Sequence, residues 1–100
     1  MERISVVVPA YNLAPYLGAS LDSLLAQTYP ELEIVVVDDG SQDETAQVIR
    51  DYMEKHPNIR GIFQENGGVT SARLTGAAAA TGDWIGFMDG DDLVEPTMYA

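Results

Sequence analysis

Residues 33–44 read EIVVVDDGSQDE, and the reading of this stretch decides the fold. A continuous β-branched run, EIVVVD (33–38), gives way abruptly to carboxylates, a glycine and a serine. Unbroken apolar runs without polar alternation are the mark of parallel strands covered on both faces. Gly40 permits a tight turn. Ser41 and Glu44 have the Ser-x-x-Glu spacing of a capping box, which predicts a helix opening at once. Adjacent side chains at a strand end point to opposite sides. Asp38 and Asp39 should therefore have different tasks: one stabilises the turn or helix terminus, the other accepts hydrogen bonds from a ligand N–H.

The same unit repeats on either side. Apolar runs occur at ISVVV (4–8), IRGIFQ (59–64) and DWIGFM (83–88), with IRGIFQ the weakest and suited to an edge. Between them lie three helical patterns. Leu13, Leu17, Leu21, Leu24 and Leu25 fall on one helical stripe, and so do Thr45, Val48, Ile49, Tyr52 and Met53. The sequence HP (56–57) closes the second helix, because proline cannot continue it. The third, GVTSARLTGAAAATG, is rich in small residues that let a helix approach a sheet or ligand closely; Gly82 is expected to be its left-handed C-terminal cap. VEPTMYA (94–100) predicts a further helix with Pro96 in its first turn. The order is βαβαβαβ, which implies an α/β fold with a parallel, doubly wound, Rossmann-like sheet and right-handed crossovers.

Composition narrows the function. The 100 residues suffice for one small domain, and 46% are apolar. There is no cysteine, which excludes disulfides and thiolate metal sites. The N-terminus does not read as a signal peptide, and no apolar stretch approaches the ~20 residues that span a bilayer. A net charge of −11 with only five Lys and Arg disfavours nucleic acid and anionic lipid as partners, but not an anionic ligand bridged by a divalent cation.

In doubly wound sheets, ligands bind beyond the carboxyl ends of the strands where strand order reverses. The chemistry-bearing residues collect there. The first strand runs into PAYN, where Pro9 is expected to stop the ladder and the Tyr11 ring could stack on a base. The third runs into QENGG, where Gly67 and Gly68 bare the backbone before a helix N-terminus, a suitable place for an anion; Arg73 is the one cation on that helix. The fourth runs into DGDD. There Asp89 and Asp91 form an Asp-x-Asp pair on one side of the backbone, hard oxygen donors suited to Mg²⁺ or Mn²⁺.

These residues resemble the N-terminal half of family 2 glycosyltransferases, inverting enzymes with the GT-A fold. The stretches that carry the resemblance are ISVVVPAYN, YLGASLDSLLAQTYPELEIVVVDDGSQDET and QENGGVTSARLTGAAAATGDWIGFMDGDDLVEP, in order and over nearly the whole chain. Two places, covering three residues, depart from the family's common pattern. Ala14 and Pro15 follow YN where many members carry an acidic residue, and Leu74 follows Arg73 where many carry Asn.

The resemblance implies roles. Pro9 and Tyr11 would hold the nucleotide base, Asp39 would read its edge (most often uracil), and Gly67 and Arg73 would line the nucleotide and diphosphate pocket. Asp91 would be the principal ligand of a divalent metal (Mn²⁺ or Mg²⁺), with Asp89 nearer the ribose and the metal's water shell. The reaction implied is metal-dependent transfer of a sugar, with inversion, from a nucleotide-diphosphate sugar to a hydroxyl of a saccharide, lipid-linked or other acceptor, as in polysaccharide biosynthesis. The setting implied is cytoplasmic, with the cytoplasmic face of a membrane as the alternative in the parent protein. The family's acceptor half and catalytic base follow the Asp-x-Asp pair at a distance. Residues 1–100 are thus expected to be a single nucleotide-sugar-binding domain without the acceptor part, inactive alone and prone to self-association. The alternative is a non-catalytic nucleotide- or metal-binding module of the same fold. A phosphorylated receiver domain would end its first strand, not its second, in an acidic pair; a dehalogenase-type phosphatase would carry its Asp-x-Asp after the first strand, where PAYN stands.

Overall fold

A computed structural model describes residues 2–27 and 29–90. The elements are β1 (Ile4–Ala10), α1 (Ala14–Leu25), β2 (Leu32–Asp39), α2 (Thr45–Lys55), β3 (Ile59–Gln64), α3 (Val69–Ala79) and β4 (Trp84–Phe87). The strands form one parallel sheet in the order β3-β2-β1-β4. Strand order therefore reverses between β1 and β4, and the expected βαβαβαβ doubly wound topology is the one observed. Asp91, Asp92 and the helix expected around Pro96 lie outside the described residues. Among the described residues, no helix is long and apolar enough to cross a membrane.

The two faces of the sheet are covered differently. On one, Val6, Val8, Ile34 and Val36 pack against Leu17, Leu21 and Leu24 of α1 and Ile49 of α2, all fully buried. Each such side chain contributes about 1.5–3 kcal/mol relative to exposure, so the leucine stripe read from the sequence anchors α1. On the other face, Val7, Val35 and Val37 meet Ala72 of α3. Gly76 lies so close that a Cβ there would sit 2.3 Å from Val7 Cγ1; the small residues of α3 let it lie almost on the sheet. β3 is an edge, as its sequence suggested. β4 forms the other edge among the described residues, with Trp84, Ile85 and Phe87 exposed.

Three expectations are corrected. Pro9 does not stop β1, which continues to Ala10 with Pro9 opposite Val37. Val7 O accepts from Met88 N, so Val7 and, two residues on, Pro9 face the β4 side. β4 has ended at Phe87, and the N–H that proline lacks would have had no strand partner there. Ser41 does not cap α2, because its Oγ accepts from Asn12 N at 2.9 Å. The helix starts later, at Thr45, and Asp43 Oδ1 accepts Thr45 N at 2.9 Å while Oδ2 accepts Ala14 N of α1. Gly82 is not a left-handed cap; among the described residues only Gly40, Gly68 and Asn12 have positive φ. Its glycine is required by space, since a Cβ would lie 2.5 Å from Ser5 Oγ and 2.8 Å from Ser5 N.

Candidate functional site

The carboxyl ends of β1 and β2 and the segment joining β3 to α3 are drawn together by side-chain-to-backbone bonds. Asn12, with φ +50°, accepts Gln42 N at its Oδ1 while its own N–H reaches Ser41. Asparagine tolerates this left-handed geometry better than most residues, and the exchange ties the end of β1 to that of β2. Gly40, with φ +73°, brings β2 against the end of β3; a Cβ there would lie 2.6 Å from Asn66 N. Asn66 Nδ2 in turn donates to Asp39 O at 3.1 Å.

The two aspartates at the end of β2 take opposite tasks. Asp38 Oδ1 accepts Ser41 N at 3.0 Å and fixes the turn. Asp39 points the other way. Its Oδ1 accepts Gln64 Nε2 and Gly67 N, each at 2.9 Å, and its Oδ2 accepts Gly68 N at 3.0 Å. The glycine pair does present bare N–H groups to an anion, and that anion is the chain's own carboxylate, set before the N-terminus of α3 where the helix dipole favours it. Asp39 is only 4% exposed. Burial alone would raise its pKa, but the bonds from Gln64, Gly67 and Gly68 outweigh this and hold it below the usual carboxylate value. The carboxylate is ionised, fixed and nearly dry.

Asp39 lines a cavity of about 330 Å³ whose walls include Pro9, Tyr11, Asn66, Gly68 and Asp89. Tyr11 is 45% exposed at its mouth. Gly90 closes the floor: a Cβ would lie 2.9 Å from Leu13 Cδ1 and 3.3 Å from Pro9 O, so glycine there lets the loop after β4 settle onto β1 and α1. Asp89 is exposed and pairs with Arg73 NH2 at 3.4 Å. Both partners are well solvated, so the pair is worth at most about 1 kcal/mol and separates readily.

Of the residues singled out from sequence, Pro9, Tyr11, Asp39 and Asp89 thus share one cavity. Gly67 and Arg73 stand beside it, each bonded to one of its carboxylates. Asp91 lies outside the described residues. Among the described residues no group of three or more His, Asp or Glu side chains could hold a metal ion. Asp89 itself is a hard oxygen donor open to solvent at the cavity, the kind that Mg²⁺ or Mn²⁺ takes singly or in pairs while keeping water and phosphate ligands. Sequence reading overlooked Gln64, Asn66 and Gly90. Only Gly90 carried a signal, as a glycine between two aspartates; the amides gave none.

The model of the family described as "Glycosyl transferase family 2" matches residues 5–99. The glycosyltransferase EpsJ of Bacillus subtilis is 46% identical over 96 residues, covering 96% of this chain and 28% of EpsJ. The structure of Staphylococcus aureus TarS 1-349 in complex with UDP superposes with a TM-score of 0.87 and 35% identity over 95% of this chain and 29% of that one. The mannosyltransferase PcManGT of Pyrobaculum calidifontis, in complex with GDP-Man and Mn²⁺, superposes at 0.81 with 37% identity over 92% of this chain and 28% of its own. The chain spans less than a third of the length of each. A match over nearly every residue, on a sheet whose reversal point carries this cavity, establishes that the chain belongs to glycosyltransferase family 2.

Proposed function

We propose that these residues form the nucleotide-sugar-binding part of a metal-dependent, inverting glycosyltransferase with a UDP-linked donor. The observation that carries the reading is the ionised, nearly dry Asp39 carboxylate lining, together with Asp89, one cavity at the reversal point of the sheet. Support comes from the bound molecules of the structural relatives: UDP and UDP-GlcNAc in TarS, GDP-Man and Mn²⁺ in PcManGT.

In this reading the base lies between Pro9 and Tyr11, and Asp39 accepts its ring N–H. Arg73 leaves Asp89 for the diphosphate, an exchange that costs little because their ion pair is exposed. Asp89 and Asp91 would hold a divalent cation, whose charge would stabilise the leaving diphosphate. An acceptor hydroxyl loses its proton to a general base and its oxygen bonds to the anomeric carbon. The bond from that carbon to the diphosphate oxygen breaks on the opposite side, and configuration inverts. No base is assigned among these residues. We place it, with the acceptor-binding part, in the remaining length that relatives such as EpsJ possess. The exposed side chains of β4 make self-association part of the same proposal for the isolated chain.

Titration of UDP with and without Mn²⁺ tests the reading. Binding is expected to require metal and to be lost in Asp91→Ala. Metal-independent binding would remove the cation from the proposal, and no binding of any nucleotide would overturn it.

A further inference from the structure

The hydrogen bonds of Asp39 leave it a countable capacity. An ionised carboxylate offers about two acceptor positions per oxygen. Gln64 Nε2 and Gly67 N fill those of Oδ1, and Gly68 N takes one on Oδ2. Among the described residues, one position remains, on Oδ2. Gln64 is in turn held by Thr75 of α3, whose Oγ1 donates to Gln64 Oε1 at 2.6 Å. A reversed amide would set Oε1 against the Asp39 carboxylate, two acceptors face to face, so charge and hydroxyl together fix Nε2 toward Oδ1.

We propose that Gln64, oriented by Thr75, sets the base selectivity of the cavity by occupying Oδ1 and limiting Asp39 to a single ligand N–H. A uracil-type base presents one imide N–H between two carbonyl oxygens and is satisfied by one acceptor. Guanine presents its N1–H and N2–H₂ side by side and needs both carboxylate oxygens free; at this site one of its donors would be buried unpaired, a loss that discriminates strongly. Gln64 is a positioning residue, since it touches Asp39 rather than the base. The inference rests on the reading that Asp39 faces the base.

The test is competitive binding of UDP and GDP, with Mn²⁺, to the full-length protein and to its Gln64→Met, Thr75→Val and Asp39→Asn variants. Methionine keeps the length and volume of glutamine but removes both amide ends. The wild type is expected to prefer UDP. Gln64→Met is expected to shrink the UDP-to-GDP affinity ratio about tenfold, the scale of one hydrogen bond to a charged group. Thr75→Val should move the ratio the same way by less, and it serves alone if the first variant does not fold. A purely structural role for Gln64 would weaken both nucleotides equally and leave the ratio unchanged. That outcome overturns the inference, as does a wild type that prefers GDP. Asp39→Asn separates the two levels. If it loses UDP while the Gln64 and Thr75 variants keep the wild-type ratio, only the selectivity inference fails. If it binds UDP like the wild type, the placement of the base fails, and the inference with it.

Discussion

Replacing Gly76 by alanine sets two principles against each other with opposite signs. In a helix interior, alanine is favoured over glycine by about 0.8–1.0 kcal/mol, so propensity alone predicts a more stable protein. The structure predicts the reverse. The added Cβ would lie 2.3 Å from Val7 Cγ1, with Val37 Cγ2 at 3.2 Å and Val7 Cβ at 3.3 Å. The nearest contact is about 1.2 Å inside the ~3.5 Å at which carbon pairs reach best attraction. Val7 cannot give way easily: it is fully buried and sits on β1 between β2 and β4, and its χ1 is stiff. Overpacking of this kind costs about 1–3 kcal/mol. The helix cannot tilt freely either, because the segments before and after it are bonded to β2. The upper part of that range should apply, leaving a net loss of about 1–2 kcal/mol after the propensity gain. For a domain of this size each kcal/mol lowers Tm by about 4–8 °C. Thermal unfolding by circular dichroism reads the effect. Combining Val7→Ala with Gly76→Ala should cost less than the sum of the two, since the first makes room for the second. A Gly76→Ala protein as stable as the wild type, or more so, would refute the claim that α3 rests on the sheet at van der Waals contact.

Four further outcomes are expected. Gly82→Ala should destabilise despite ordinary backbone dihedrals, since its Cβ would strike Ser5 N and Arg3 O, both backbone atoms; a neutral result in denaturant unfolding would contradict the packing of the α3–β4 connection. Glu33→Gln should cost about 1–3 kcal/mol in the same assay, less than a fully buried broken pair because Arg60 and Arg3 can turn to water. Burial alone would raise the Glu33 pKa, but bonds from Thr81 N, Ser5 and the Thr81 hydroxyl, with the Arg60 charge, hold it lowered. Its contribution is therefore fully present above the unfolded value of about 4.3 and lost as pH falls through the folded one, so the acid-unfolding curve of Glu33→Gln should be shallower than that of the wild type. Asp39→Asn should lose both stability and UDP binding, because its amide would turn an N–H₂ toward donors that now bond to a carboxylate; unchanged chemical shifts of the Gly67 and Gly68 amides would argue against this clamp.

The fold was legible because its signals are periodic. Four apolar runs and the leucine stripe of α1 register burial directly, and the parallel order followed from their alternation with helices. What was not legible depended on partners distant in sequence. Nothing local shows that α2 opens only at Thr45 rather than directly after Ser41, whose Oγ is instead taken by the Asn12 N–H. Gly82 looked like a helix cap because the motif is local, whereas the Ser5 backbone that excludes a side chain lies across the sheet. At the site, carboxylates at strand ends could be found from topology and spacing. That Asp38 and Asp39 divide the work followed from their adjacency at a strand end; which of them fixes the turn did not follow from strand geometry, since it depends on which way the end of β2 faces and on the third βα connection reaching back to it. Gln64 carried no signal at all: its importance is that its amide meets Asp39 on one side and Thr75 on the other.

The site and the stability of the sheet have the same cause. β2 carries a buried carboxylate near each end, Glu33 and Asp39, and α3 lies across β2 with its two ends over them. Asp39 holds the N–H groups of Gly67 and Gly68 just before the helix, and Glu33 holds Thr81 N at 3.0 Å just after it. A negative charge suits the helix N-terminus but not its C-terminus. Arg60 resolves that second case, for its NH1 lies 3.5 Å from Glu33 and donates to Ala79 O at 2.6 Å, so the last turn of the helix meets a cation. The helix is thereby fixed along its axis as well as against the sheet. Arg73 rides on this helix, and Gly68 leads into it. A strap at both ends is what holds the Arg73 guanidinium beside Asp89 and the Gly68 N–H on Asp39. Loosening the Glu33 end should therefore weaken nucleotide binding from the opposite, amino end of β2. Glu33→Gln should raise the Kd for UDP without touching any residue that lines the cavity, and an unchanged Kd in a measurably destabilised variant would show that the two ends of α3 act independently.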